Sequence, residues 1–217
     1  LSYNHIRGID LYNRVKEILK EQETKYYNQF FSESPTIQSE SFTICLNDVT
    51  IVADKVFDSR PPSFNLPEKN QTHLFQSFYG WEVKALDYTF DTSTMVMMDF
   101  DIPQNDYCQF MYILPFTENT ALFEVTRFGK EKITREESEK ILNEYIAKFN
   151  FSYQIIEEEK GVIPMSSLQI ADVNYGAKWT STGANANMIK PTTGYAFHNM
   201  ATDARNHVEA MLNEQPY

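Results

Sequence analysis

In the run Ala121-Leu122-Phe123-Glu124-Val125-Thr126-Arg127-Phe128 a single carboxylate stands among apolar neighbours. Side chains alternate faces along a strand, so Leu122, Glu124 and Thr126 share one face and Phe123, Val125 and Arg127 the other. A carboxylate so placed lies either at a solvated surface or in a pocket that tunes its proton affinity, where it does general acid–base work. Asp99, closing Met97-Met98-Asp99, is either a strand-end carboxylate or a hydrogen-bonding partner of such an acid. Pro191-Thr192-Thr193-Gly194-Tyr195 is a turn that feeds a helix, and backbone N–H groups at a helix start favour an anion or a polarised carbonyl. The four histidines, His5, His73, His198 and His207, have no metal-binding spacing, and Cys45 and Cys108 form no C-x-x-C pair. No metal is expected, and the thiols are expected to be buried or idle in a reducing cytoplasm.

The elements that must position these groups are legible in the hydrophobic pattern. Cys108 to Phe116 and Thr120 to Phe128 read as the two strands of a hairpin, with Thr117-Glu118-Asn119 as its turn. His73 to Leu86 reads as a long strand carrying Phe75, Phe78 and Trp81, with Gly80 as a bulge. Met95 to Phe100 and Tyr153 to Glu159 add strands to an antiparallel sheet, and Gly161 to Met165 turns the chain out of it. Thr134 to Phe149 is a helix with a capping box (Thr134, Glu137) and a stripe of Ile141, Leu142, Tyr145, Ile146 and Phe149. Upstream, Asp10 to Glu23 is a helix, Ile37 to Leu46 a strand, Asn47-Asp48 a turn and Val49 to Phe57 the returning strand. Pro67 to Asn70 is a loop. A last helix runs from about Tyr195 to Leu212. The acidic run Glu157-Glu158-Glu159 reads as a solvated strand edge, and the aromatics Phe75, Phe78, Trp81, Phe110 and Tyr112 are first of all core residues.

Composition narrows the class. The 217 residues are 42% hydrophobic and 14% aromatic, enough for a sizeable core in one large or two small domains. A net charge of −11 argues against nucleic acid as a partner, since phosphate recognition needs a basic face. No run of about 18 apolar residues marks a membrane span. There are only 7 glycines and no G-x-G-x-x-G, so the usual pyrophosphate cradle is missing from these residues. With no initial Met, the chain reads as a piece of a longer protein.

Four stretches together resemble the lycopene cyclase family of flavin-dependent enzymes. They are L-F-Q-S-F-Y-G-W-E-V at 74–83, M-M-D-F at 97–100, F-M-Y-I-L-P-F…A-L-F-E-V-T-R-F at 110–128, and G-A-N-A-N-M-I-K-P-T-T-G-Y at 183–195; V-F-D-S-R-P at 56–61 also fits. The resemblance implies an α/β (α+β) fold. An FAD-binding Rossmann-like domain, residues 1–62 and 166–217, is interrupted by an antiparallel substrate domain, residues 63–165, that holds the helix at 134–149. It implies redox-neutral cyclisation of lycopene, or a related linear carotenoid, with reduced FAD as cofactor and NAD(P)H as its reductant. It also implies a cytoplasmic protein peripheral to a membrane surface.

By the same resemblance Glu124 is the acid/base, with Asp99 as its partner. Gly183, Pro191, Thr192, Thr193, Gly194 and Tyr195 contact the flavin, and Phe75, Phe78, Trp81, Phe110 and Tyr112 line a tunnel for the polyene. Many relatives carry two adjacent acids in the hairpin motif; here the second position is Val125. Asn187 stands where relatives often have Gly. A prenyl reductase or monooxygenase of the same flavoprotein group, and a carotenoid- or lipid-binding module without catalysis, are the competing readings, and the 217 residues alone are expected to be inactive.

Overall fold

The computed structural model describes residues 6–29, 31, 35–38, 41–62, 71–167 and 175–213. They fall into two compact units, residues 1–56 and 57–217. In the first, α1 (Gly8–Leu19) continues as a 3₁₀ turn, Lys20–Gln22. Its apolar residues Leu11, Val15 and Ile18 are exposed. A three-stranded antiparallel sheet follows: β1 (Thr36–Gln38), β2 (Ser41–Leu46) and β3 (Val49–Ala53). The expected strand 37–46 is thus two strands that pair with each other, Thr36 opposite Thr43. The Asn47-Asp48 turn forms as expected, with Asn47 at φ +33°, a backbone that Asn tolerates.

The second unit opens with β4 (Val56–Asp58), which leaves the preceding hairpin and pairs with β10 (Trp179–Ser181) instead. The expected strand 49–57 therefore breaks between Ala53 and Val56. The centre of the unit is an antiparallel sheet with strand order β6-β7-β8-β5-β9: β5 (His73–Ala85), β6 (Val96–Asp99), β7 (Cys108–Thr117), β8 (Thr120–Gly129) and β9 (Tyr153–Ser166). The expected loop at 67–70 lies outside the described residues.

Two expectations change here. The bulge in β5 falls between Glu82 and Val83, while Gly80 sits in regular ladder opposite Glu124 and Glu159. And β9 does not leave the sheet at Gly161; it runs on through Pro164, which pairs with Phe75. An edge strand accommodates a proline because one row of its N–H groups faces no neighbour.

One face of this sheet is closed by α2 (Arg135–Ile146), whose capping box between Thr134 and Glu137 forms as the spacing predicts. Ile141, Leu142, Tyr145 and Ile146 pack on Tyr79, Trp81, Val83, Met111, Ile113, Phe123 and Val125. The helix start is fixed to the sheet by Arg127, which is 1% exposed. Its guanidinium donates to Gln109 Oε1 at 2.9 Å and to both Glu137 oxygens at 3.2 Å, and lies 4.1 Å from the Tyr107 ring. Glu137 is held below the usual carboxylate range, first by the Thr134 backbone N–H and then by Arg127. The opposite face of the sheet carries no such helix among the described residues. A last helix, α3 (Phe197–Leu212), follows.

Replacing Arg127 with Leu is expected to cost about 3 kcal/mol, because Gln109 and Glu137 lose a charge-assisted partner at a buried site. Urea unfolding measures it; a loss under about 1 kcal/mol would show that the pair merely breaks even.

Candidate active site

The register of the central sheet decides which side chains meet. Tyr112, Glu124, Gly80 and Glu159 form one row across β7, β8, β5 and β9. The next row on the same face is Phe110, Thr126, Phe78 and Gly161, and the one beyond it is Cys108, Phe128, Gln76 and Ile163. This is the face without α2. Glu124 is half-buried on it and accepts a 3.0 Å hydrogen bond from the Thr126 hydroxyl. Burial, then the hydrogen bond and charge of Glu159, push its pKa from an ordinary 4.5 up to about 8. At neutral pH it therefore holds its proton and is an acid able to donate.

Gly80 makes the contact between the two acids possible. Its strand lies between theirs, and any side chain there would stand in the gap. A Cβ on Gly80 would lie 3.1 Å from Glu124 Cβ and 3.0 Å from Leu122 Cδ1. Gly161 does the same for an aromatic: the Phe78 ring lies over it, so close that a Cβ there would sit 2.2 Å from the ring. Phe110 is packed edge-on against Phe100 and Tyr112, with ring centroids at 5.4 and 5.2 Å. Phe78, Phe110 and Tyr112 thus take water away from Glu124, and that burial is the first physical cause of its raised proton affinity.

Of the residues singled out from sequence, Phe78, Phe110 and Tyr112 share this face with Glu124. Phe75 and Trp81 do not. They point to the α2 side, where Trp81 is core and Phe75 packs against His73 and Lys132. Asp99 is also apart from Glu124. It pairs with Met111 at the β6 edge and accepts the Tyr145 hydroxyl from α2, so its carboxyl is held below the usual range and stays ionised. The raised pKa of Tyr145, from burial and then this bond, marks it as a fixed donor to Asp99. Cys45 and Cys108 are exposed rather than buried. Among the described residues no cluster of His, Cys, Asp and Glu is arranged to hold a metal, and no helix is long and apolar enough to cross a membrane.

The Pro191–Tyr195 loop comes to the Glu124 face. Its turn is closed by the Lys190 carbonyl, which accepts from Thr193 N–H at 3.2 Å and Gly194 N–H at 2.9 Å. Gly194, at φ +71°, presents its Cα to Gln76; a Cβ there would lie 2.1 Å from Gln76 Oε1 and 3.6 Å from Ile163 Cδ1. Gln76 is four residues before Gly80 on β5, about 14 Å along the strand. Gln76 Oε1 is buried without a hydrogen-bond partner among the described residues. Gly183 also has positive φ, +62°, with only Met200 near its open side. Asn187 takes φ +58°, the left-handed backbone that a glycine would supply and that Asn adopts at small cost. Asn199 of α3 ties the loop down through Met188 O at 3.0 Å. Arg60 is committed to Asp58, at 2.9 and 2.6 Å. Sequence reasoning missed Glu159, Gly80 and Gln76, because their importance appears only once the strand register is known.

Compared with known proteins, residues 1–216 match the family model described as "Lycopene cyclase protein". The chain belongs to the lycopene cyclase family. It is 28% identical over 176 residues to the chloroplastic lycopene beta cyclase of Nicotiana tabacum, covering 73% of this chain and 34% of that protein. It spans about a third of the length of the curated lycopene cyclases it matches. Its fold is mixed α/β with antiparallel sheets. It is like that of a geranylgeranyl bacteriochlorophyll reductase-like protein from Thermoplasma acidophilum (TM-score 0.63, 12% identity, 99% of this chain and 58% of that one). A flavin-dependent brominase is a second neighbour (TM-score 0.52, 12% identity, 91% of this chain and 53% of that one).

The Glu124 proton carries a stability signature. Below pH 4.5 both folded and unfolded chains hold it. Between 4.5 and about 8 only the folded chain does, so folded stability falls as pH rises through that window and levels off above it. In Glu124→Gln this contribution vanishes. The melting temperature of the wild type should fall more steeply from pH 5 to 8 than that of the variant, with the two profiles parallel below 4.5; equal slopes would return Glu124 to an ordinary pKa.

Proposed function

We propose that the protein containing this chain is a lycopene cyclase that forms β-rings, with Glu124 as the proton donor. The observation that carries this reading is a half-buried carboxyl group set on a sheet face beside Phe78, Phe110 and Tyr112, where burial raises its proton affinity. Ring closure begins when a proton is added to C2 of the linear ψ end group. The cation at C1 is captured by the C5=C6 double bond, and loss of a proton from C6 gives the ring, with no net redox change. The Glu124 carboxyl supplies the first proton. Phe78, Phe110 and Tyr112 offer a polyene dispersion contacts and offer the cation their negative ring faces. They also keep water from capturing the cation.

We assign a flavin, FAD with NAD(P)H as reductant, to the same face. Two features fit its ring: the tight approach of Gly194, which leaves backbone rather than side chain at the surface, and the unpartnered Gln76 Oε1, an acceptor for a ring N–H. Gly183 and the segment Pro191–Tyr195 would hold the ring. When bound, a reduced flavin supplies negative charge that stabilises a nearby cation. In this reading residues 1–62 and 166–217 belong to a Rossmann-like flavin domain and 63–165 to the substrate domain. Lycopene, a lipid-phase substrate, puts the protein at a membrane surface. Asp99 serves the fold through Tyr145 rather than the reacting atoms.

The test is expression of the whole reading frame in a lycopene-accumulating bacterium, with pigment analysis. Wild type should yield ring-bearing products. Glu124→Gln should lose at least about 100-fold of ring formation, the usual contribution of a general acid. Asp99→Asn should keep most of its activity per folded molecule. Unchanged lycopene from folded, flavin-loaded wild type would defeat the cyclase reading in favour of a reductase, monooxygenase or binding role.

A further inference from the structure

Val125, the residue after Glu124, belongs to the other side of the sheet. Val125 is 0% exposed and packs in the core with Tyr79 and Met111, on the face opposite Glu124. A carboxylate there would be buried behind the sheet. Glu124 has instead a second carboxyl on its own face, two strands away. Gly80 lies between Glu124 and Glu159 in the ladder, and their strands are about 9.6 Å apart, two interstrand spacings. With no side chain on Gly80, only backbone lies between the two acids in their row, and Glu159 adds to the burial that raises the proton affinity of Glu124. Glu159 is exposed on the edge strand β9, while Glu124 is half-buried on β8. One carboxyl faces the apolar surface and the other faces water.

We propose that Glu159 is the proton partner of Glu124, a positioning residue that relays protons between bulk water and the buried acid across Gly80. The proposal rests on the cyclase reading only for what receives the proton. In each turnover Glu124 O–H gives its proton to the substrate carbon and becomes a carboxylate. Glu159 then takes a proton from water and passes it to Glu124. The ring-closed cation releases one proton to water, so one enters and one leaves. Without Glu159, Glu124 would depend on water entering an aromatic surface. The other titratable groups facing this row are Tyr112 from β7, Glu82 from β5 and Glu157 from β9. Glu158 points the other way, to Tyr79 at 2.8 Å and Arg135 at 2.8 Å.

The test uses the whole protein as wild type, Glu159→Gln, Glu159→Asp and Glu158→Gln, the last making the same charge change on the opposite face. The Glu124 titration is read from the carboxyl ¹³C signal that Glu124→Gln removes, and ring formation is measured against pH. Glu159→Gln should lower the Glu124 midpoint by about one unit, through loss of the like charge and of the shared proton. It should move the alkaline limb of the rate profile by the same amount and slow ring formation about tenfold. Glu159→Asp should restore part of each, and Glu158→Gln should move neither. If Glu159→Gln leaves both the midpoint and the limb in place, or if Glu158→Gln shifts them equally, the relay is overturned. If the midpoint moves in Glu159→Gln while the wild type closes no rings, the proton pair stands and the cyclase reading falls.

Discussion

Two carboxyl groups that face each other across one strand cannot both ionise cheaply. At close approach in a medium of moderate polarity, two like charges repel by about 4 kcal/mol. The inexpensive state is one shared proton, and the protein decides where that proton resides through burial. Glu124 is on an inner strand among aromatic rings, and Glu159 is on the edge in water, so the proton stays with Glu124. The arrangement depends on a gap in the pleated surface, which Gly80 supplies. The glycines at 80 and 161 are spaces into which a neighbour's side chain fits, not points of flexibility.

The sheet divides labour between its faces. On one, α2 closes a core of Trp81, Phe123, Val125 and their neighbours, with Arg127 fixing the helix start and Tyr145 fixing the edge strand through Asp99. On the other, Glu124 lies with Thr126 among aromatic rings, Gln76 lies beneath Gly194, and Glu82, Glu157 and Glu159 follow on β5 and β9. Alternation along β8 joins the two directly, because each residue bound into the core holds its neighbour out over the open face. A rigid packed side thus positions the acid without any loop being involved.

The same division separates what could be read in advance from what could not. Hydrophobic spacing and the capping box located the start of α2 within a residue and its end within three, and the turn residues located the β7–β8 hairpin, because those signals are local. Alternation alone placed Leu122, Glu124 and Thr126 together. It also sets Phe75 and Trp81 on the face opposite Phe78, so that a single tunnel lined by all three follows from the resemblance and not from the strand pattern. The extent of β9 was also misjudged: Gly161 and Pro164 usually end a strand, but an edge position with Phe78 lying over the glycine tolerates both.

By itself the sequence determined the elements, the acid at 124, the segment 191–195 and the family they resemble, since each is a matter of residue types at short spacing. The tertiary structure decided which of them meet. Glu159 is 35 residues from Glu124 and Gly80 is 44 residues from it, and nothing local ties them together. Register does, because a shift of one residue would turn every side chain of β5 to the other face. Proton affinity followed from the same event: a carboxyl group is ordinary until neighbouring strands remove its water and bring it a second acid.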